Sequence, residues 1–168
     1  MKPALRIALI LLSAAVLQRG VFSQLRVADV SADVFLLIAV VAGITGGPDR
    51  GAAAGFFAGL TLDLMLQTPL GLSALVYCLI GFVAGRLQGT VLRANRLLPA
   101  LLTALLSAAG VALYAGVSEV LGQTGAISGR VLVIMLVVAI INALLFPLAR
   151  RLLVWAWDDE TNLRPALR

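Results

Sequence analysis

A single acid lies within a long apolar stretch of the chain, and its chemistry most needs an explanation. Asp63 belongs to the segment GAAAGFFAGLTLDLMLQTPLGLSAL, which runs from Gly51 to Leu75. A carboxylate inside a membrane-crossing helix is costly, so it usually serves function or packing within a bundle. There it could relay protons, hold an ion, or accept hydrogen bonds from neighbouring backbone groups.

The residues that follow Asp63 favour a structural role. Pro69 and Gly71 predict a tight turn, after which the next helix would start with exposed backbone N–H groups, and a carboxylate is favoured there. A transporter relay usually needs several titratable groups along a path, and no other apolar segment has an acid in its interior. We interpret Asp63 as a buried structural acid, with a proton relay as the alternative.

Other residues that could carry chemistry are few. Asn142, in IINALLFPLARR, is the other polar residue well inside an apolar run, and we predict that it hydrogen-bonds to another helix. Cys78 alone makes neither an internal disulfide nor a metal cluster. The chain has no histidine and no phosphate-binding loop. We therefore predict no catalytic residue, no cofactor, no metal site and no enzymatic activity.

Two rows of glycine stand at four-residue spacing. Such spacing lets another helix approach closely, because no side chain separates the two backbones. We assign both rows to helix packing, either within the protein or against the span of a partner. The rows consist of Gly47, Gly51, Gly55 and Gly59, followed by Gly81, Gly85 and Gly89.

The composition is that of a membrane protein. Of 168 residues, 61% are hydrophobic and 12% are charged, and the mean hydropathy is +1.06. Soluble domains are about 45–50% apolar and about 25% charged. The net charge of +5 does not indicate nucleic-acid binding, because the basic residues lie between apolar runs, as topology signals do.

Six apolar segments predict an all-α bundle of six transmembrane helices followed by a short cytoplasmic tail, residues 158–168. Lipid offers no hydrogen bonds to the backbone, and continuous apolar runs exclude a barrel. Ten basic residues fall on the side of the termini and three on the other, so we predict that both termini are cytoplasmic. The predicted spans are residues 3–21, 33–47, 51–67, 70–85, 97–117 and 131–155.

The glycine-rich segment contains a run of short motifs, which are Gly51-Ala52, Gly55-Phe56, Gly59-Leu60, Asp63, Pro69-Leu70-Gly71 and Ala74-Leu75. In these residues the chain resembles the MreD family, the rod-shape-determining membrane proteins of bacteria. The length, the six apolar segments and the late Asn142 also fit that family, while Ala32-Asp33 replaces the Pro-Asp pair typical of it.

The resemblance implies a non-enzymatic scaffold in the inner membrane. Members of the family bind the single-span protein MreC, and with it they link filaments of the actin-like protein MreB to RodA and its transpeptidase partner in lateral-wall peptidoglycan synthesis. A homodimer is left open. The fold of the MreD family is similar to that of the substrate-binding component of energy-coupling-factor vitamin transporters. The alternative function is therefore that of such a component, which binds a vitamin-type small molecule. A vitamin pocket would have to use Asp63, Gln67, Tyr77, Tyr114 and Glu119.

Overall fold

The computed structural model describes residues 3–20, 33–65, 70–89, 97–122 and 129–161, and among them it has helices and turns but no strand. The predicted all-α class is therefore confirmed for this part of the chain. Pro69 and Gln67 lie outside the described residues. The described residues form six helices: α1 (Pro3–Gly20), α2 (Val34–Gly46), α3 (Pro48–Met65), α4 (Leu72–Arg86), α5 (Leu97–Val120) and α6 (Arg130–Thr161).

The helix boundaries follow from local chemistry. The third helix begins at Pro48, three residues before the predicted start, because proline has no N–H to lose in a first turn. Gly47 ends α2 with a φ of 89° and a ψ of 178°, a conformation that residues with a side chain rarely adopt. The last helix continues to Thr161, so the first residues of the predicted tail are helical.

The core is built around α2. Every residue from Phe35 to Ile44 is buried, and α2 touches each of the other five helices. A helix that is apolar on all sides must be surrounded by protein or lipid, and here protein surrounds it. The closest helix pair in the bundle is α3 and α4, which lie beside α2.

The outer surface is apolar. In α5 only 17% of the spanning window is buried in the protein, and in Arg130–Trp157 of α6 only 22% is buried. Leu101, Leu132 and Leu144 are more than half exposed. Soluble proteins do not expose long apolar faces of this kind, so lipid is the solvent that suits them.

The helices differ in length, and so in their ability to cross a bilayer. Two of them, α5 and Arg130–Trp157, are long and apolar enough to cross a bilayer, whereas α2 and α4 are apolar but have 13 and 15 residues. At 1.5 Å per residue, α2 is about 20 Å long and α5 about 36 Å. The remaining four crossings of the six-span arrangement stay predictions.

Candidate functional site: a glycine-packed helix pair and its polar anchors

The interface between α3 and α4 is made by backbone against backbone. A Cβ atom added to Gly51 would lie 2.2 Å from the carbonyl oxygen of Gly81, and one added to Gly81 would lie 2.2 Å from the oxygen of Gly51. A Cβ on Gly55 would lie 2.2 Å from the oxygen of Tyr77, and one on Gly59 would lie 2.4 Å from the oxygen of Ser73. No side chain fits at these four glycines.

The second glycine row packs in the same place. A Cβ atom on Gly85 would lie 2.3 Å from the nitrogen of Pro48, at the start of α3. Gly43 of α2 also belongs to this contact, since its Cβ would lie 2.3 Å from the oxygen of Gly81. The structure therefore brings both predicted rows into one internal interface, which joins α2, α3 and α4.

Two glycines of the predicted rows have other surroundings. Gly47 forms the turn between α2 and α3, where a Cβ atom would lie 3.3 Å from Oε1 of Gln88. A Cβ on Gly89 would meet nothing within 4 Å. The backbone of Gly47 still belongs to the close contact, because its carbonyl carbon would lie 2.4 Å from a Cβ atom on Gly85, whereas Gly89 lies outside that contact.

Asp63 lies where α3 ends and α4 begins, at one end of this interface, and is 1% exposed. Its Oδ2 atom accepts hydrogen bonds from the backbone N–H groups of Gly71, at 2.8 Å, and Ala74, at 3.3 Å. Its Oδ1 atom accepts one from the N–H of Ser73 at 3.2 Å. Gly71 is the residue that caps α4 and has no side chain to do so. The carboxylate of α3 takes over the role that a capping side chain usually has.

A second polar cluster surrounds the start of α2. The side chain of Asp33 caps α2 by accepting a hydrogen bond from the N–H of Leu36 at 3.0 Å, and the hydroxyl of Tyr77 donates to its other oxygen. Asn142, which is fully buried, donates to the backbone oxygen of Asp33 at 3.3 Å and to Oγ of Ser107 at 3.0 Å.

This cluster, which we call the Asp33 layer, joins five helices. Gln18 of α1 accepts a hydrogen bond from the N–H of Val34 at 3.3 Å. Tyr77 and Asn142 connect the start of α2 directly to α4 and α6, and Asn142 connects it further to Ser107 of α5. A polar residue in a bundle that faces lipid is best satisfied by such contacts between helices.

Two Arg–Trp contacts join helices at the end of the bundle where the tryptophans of α6 lie. The guanidinium carbon of Arg6 lies 4.9 Å from the ring centroid of Trp155, and its Nη1 donates to the oxygen of Trp155 at 3.0 Å. Arg50 lies 5.2 Å from the ring centroid of Trp157. The sequence favours interfacial anchoring for both tryptophans, and the structure buries Trp157 while Trp155 is 53% exposed.

The arrangement is suited to holding helices together. The described residues contain no group of three or more His, Cys, Asp or Glu side chains that could hold a metal ion. Asp63 and Tyr77, two of the polar residues considered for a vitamin pocket, are engaged with other parts of the protein. The site can fix the positions of the helices that it joins.

Sequence reasoning missed Asp33. It considered that residue only in comparison with a family pattern and did not connect it to Asn142 or Tyr77. A local signal was present, because an acid directly before an apolar run is a typical helix N-cap. The partners of Asn142 had no such signal, since Ser107 lies 35 residues away in the chain.

These features define a class of protein: in its described residues it is all-helical, with glycine-packed contacts among α2, α3 and α4 and with long apolar faces that suit a membrane. Comparison with protein families narrows the class. The family model described as rod shape-determining protein MreD matches residues 3–155, which is most of the chain. The chain belongs to the MreD family, whose members are shape-determining bacterial membrane proteins. Searches of curated proteins and of solved structures each gave no significant match.

Proposed function

We propose that this protein is a non-enzymatic scaffold of the machinery that elongates rod-shaped bacteria. The observation that carries the proposal is the match of residues 3–155 to the MreD family. The described residues support it, because their buried polar groups cap helices and join helices to one another. The apolar faces of α5 and α6 offer lateral contact surface within the bilayer.

In this role the protein binds MreC and, through MreC, helps to connect MreB filaments with RodA and its transpeptidase partner. Since Gly51, Gly55, Gly59 and Gly81 are used inside the bundle, a partner helix must dock on another surface. The protein would cross the inner membrane six times with both termini in the cytoplasm. Formation of a homodimer stays an untested prediction.

Affinity purification in mild detergent tests the proposal. The full-length protein, tagged and expressed in a rod-shaped bacterium, should retain MreC, with RodA and its transpeptidase partner in smaller amounts. An unrelated six-span protein with the same tag is the control. Isolation of an ATPase module or of a tightly retained vitamin would replace the scaffold by the transporter component, and solute flux by the purified protein in liposomes would also contradict the scaffold.

A substitution at an open position of the surface serves as a folding control for the MreC purification. Gly116 of α5 faces open space, since a Cβ atom there would meet nothing within 4 Å. Gly116→Leu should therefore fold normally, whereas Gly55→Leu should not. If Gly116→Leu is folded but no longer retains MreC, the docking surface includes α5; if it retains MreC, the surface lies elsewhere.

A further inference from the structure

One oxygen atom in the Asp33 layer has no hydrogen-bond donor among the residues that the structure describes. It is Oδ1 of Asn142, whose side chain is fully buried. Nδ2 of the same amide donates to the backbone oxygen of Asp33 and to Oγ of Ser107, so Oδ1 lies beside them, where α2, α5 and α6 meet. A buried acceptor without a donor is unfavourable, and it therefore indicates a bound group that the chain itself does not supply.

The carboxylate of Asp33 adds a negative charge to the same layer. The N–H of Leu36 and the hydroxyl of Tyr77 donate to it, and both donors are neutral. Among the described residues, no lysine or arginine is paired with Asp33. Asp63 differs, because three N–H groups at the positive end of α4 surround its carboxylate. A buried charge is normally paired with an opposite charge or bound to a metal ion, and the charge of Asp33 has neither within the described chain.

The layer lies deep in the bundle. Asn142 is about 18 Å along α6 from Arg130 and about 22 Å from Trp157, and this helix is long and apolar enough to cross a bilayer. Its middle is the level at which a charge costs most, because bulk water does not reach it. Asp33 is half-buried, so an ion can approach the layer from its side, while fully buried Asn142 closes the opposite side.

From these observations we propose that the Asp33 layer binds one monovalent metal cation. A carboxylate oxygen of Asp33 and Oδ1 of Asn142 are its side-chain ligands, and the ion joins the start of α2 to α6. One carboxylate balances one monovalent charge, and Na⁺ in membrane proteins is typically held by oxygen atoms near a break in a helix. A divalent ion fits less well, because the described residues bring no three acids together.

Thermal unfolding of the full-length protein in mild detergent tests the proposal. The unfolding temperature is compared in NaCl, KCl and choline chloride at one pH and one ionic strength, since choline is too large for the layer. A tenfold excess of the preferred metal ion over its dissociation constant should raise the unfolding temperature by about 4 °C relative to choline. Equal temperatures in the three salts would overturn the proposal, and this is the result expected if a proton neutralises Asp33 instead.

Matched carboxylate-to-amide variants locate the ion. Asp33→Asn removes the charge but keeps an oxygen that can cap α2, so it should fold and lose the response to metal ions. Asn142→Leu, which removes the second ligand, should also lose the response. Asp63→Asn and the exposed Asp49→Asn should keep it, whatever their own unfolding temperatures. The proposal fails if Asp33→Asn responds like the wild type, or if Asp49→Asn loses the response as well. The MreC purification is independent of these results.

Discussion

At Asp63 one carboxylate receives three backbone N–H groups from the start of another helix. The first N–H groups of a helix have no partner within the helix, and water is not available to them where lipid surrounds the protein. These three hydrogen bonds therefore offset the free-energy cost of burying the carboxylate. Because the capping oxygen comes from α3, the N-cap position of α4 needs no side chain and can be a glycine, which adopts a φ of 97° without strain.

Removal of the Asp63 carboxylate should destabilise the protein more than its neutralisation does. In Asp63→Ala three N–H groups lose their acceptor, and the two that are buried each cost about 1–3 kcal/mol, so we expect a marked fall in the unfolding temperature. Asp63→Asn keeps one oxygen that can accept hydrogen bonds, so its unfolding temperature should lie between those of the wild type and Asp63→Ala. Unfolding can be followed in detergent by the reaction of a thiol dye with half-buried Cys78.

The exposed acid Asp49 provides the control for this series. Asp49→Ala should change the unfolding temperature little. If instead Asp63→Asn is as stable as the wild type but abolishes rod shape in complementation, a titrating role would replace the structural one.

The contact between Asn142 and Ser107 can be measured by a double-mutant cycle. Interhelical hydrogen bonds in membrane proteins contribute about 0.6 kcal/mol on average and up to about 1.7 kcal/mol. We expect Asn142→Ala and Ser107→Ala to be coupled by an energy in this range, because the 3.0 Å bond joins them directly. Denaturant unfolding in mixed micelles gives the four stabilities, and additive effects would show that the bond contributes nothing.

At the scale of the helices, the α3–α4 interface leaves no room for even a methyl group. Its glycines face carbonyl oxygens and backbone nitrogens, which cannot move aside as the end of a flexible side chain can. Separation of the two helices would also pull the N-terminus of α4 away from Asp63. The glycine contact and the carboxylate cap therefore support each other.

Alanine at Gly55 should accordingly be as informative as a large residue. Its Cβ atom would lie 2.2 Å from the oxygen of Tyr77, so Gly55→Ala should lower the unfolding temperature strongly or prevent accumulation of the protein. Gly116→Ala, in the open surface of α5, should be neutral or slightly stabilising, because alanine favours helix by about 1 kcal/mol over glycine. Equal stability of the two variants would contradict the close packing of α3 and α4.

At the scale of the whole molecule, the distribution of basic residues sets the expected orientation. Lys2→Cys and Arg168→Cys, each in a Cys78→Ser background, should react with a membrane-impermeant maleimide in inverted vesicles and remain unlabelled in intact spheroplasts. A third variant, Arg130→Cys, should behave in the opposite way. Labelling of the two termini from different sides would show an odd number of crossings.

The sequence was sufficient for the helix class because apolar runs and prolines are local signals. It also predicts packing roles for Asp63, Asn142 and the glycines, since a polar group or a bare backbone inside an apolar run requires a partner. It did not determine which partner: both glycine rows were open to internal or external contact. The Asp33 layer was missed because its hydrogen bonds join residues as far apart as Asp33 and Asn142.

The unequal lengths of the helices have a consequence for the surrounding bilayer. The hydrocarbon core of a bilayer is about 30 Å thick, whereas α4, with 15 residues, covers about 22 Å and exposes Leu75, Leu79 and Phe82 along one side. In the predicted six-span arrangement, lipid next to α4 would thin to match it, while lipid next to α5 and α6 would not need to. The protein would then create a membrane that is thinner on one flank than on the other, and neighbours with short spans would collect on the thin flank.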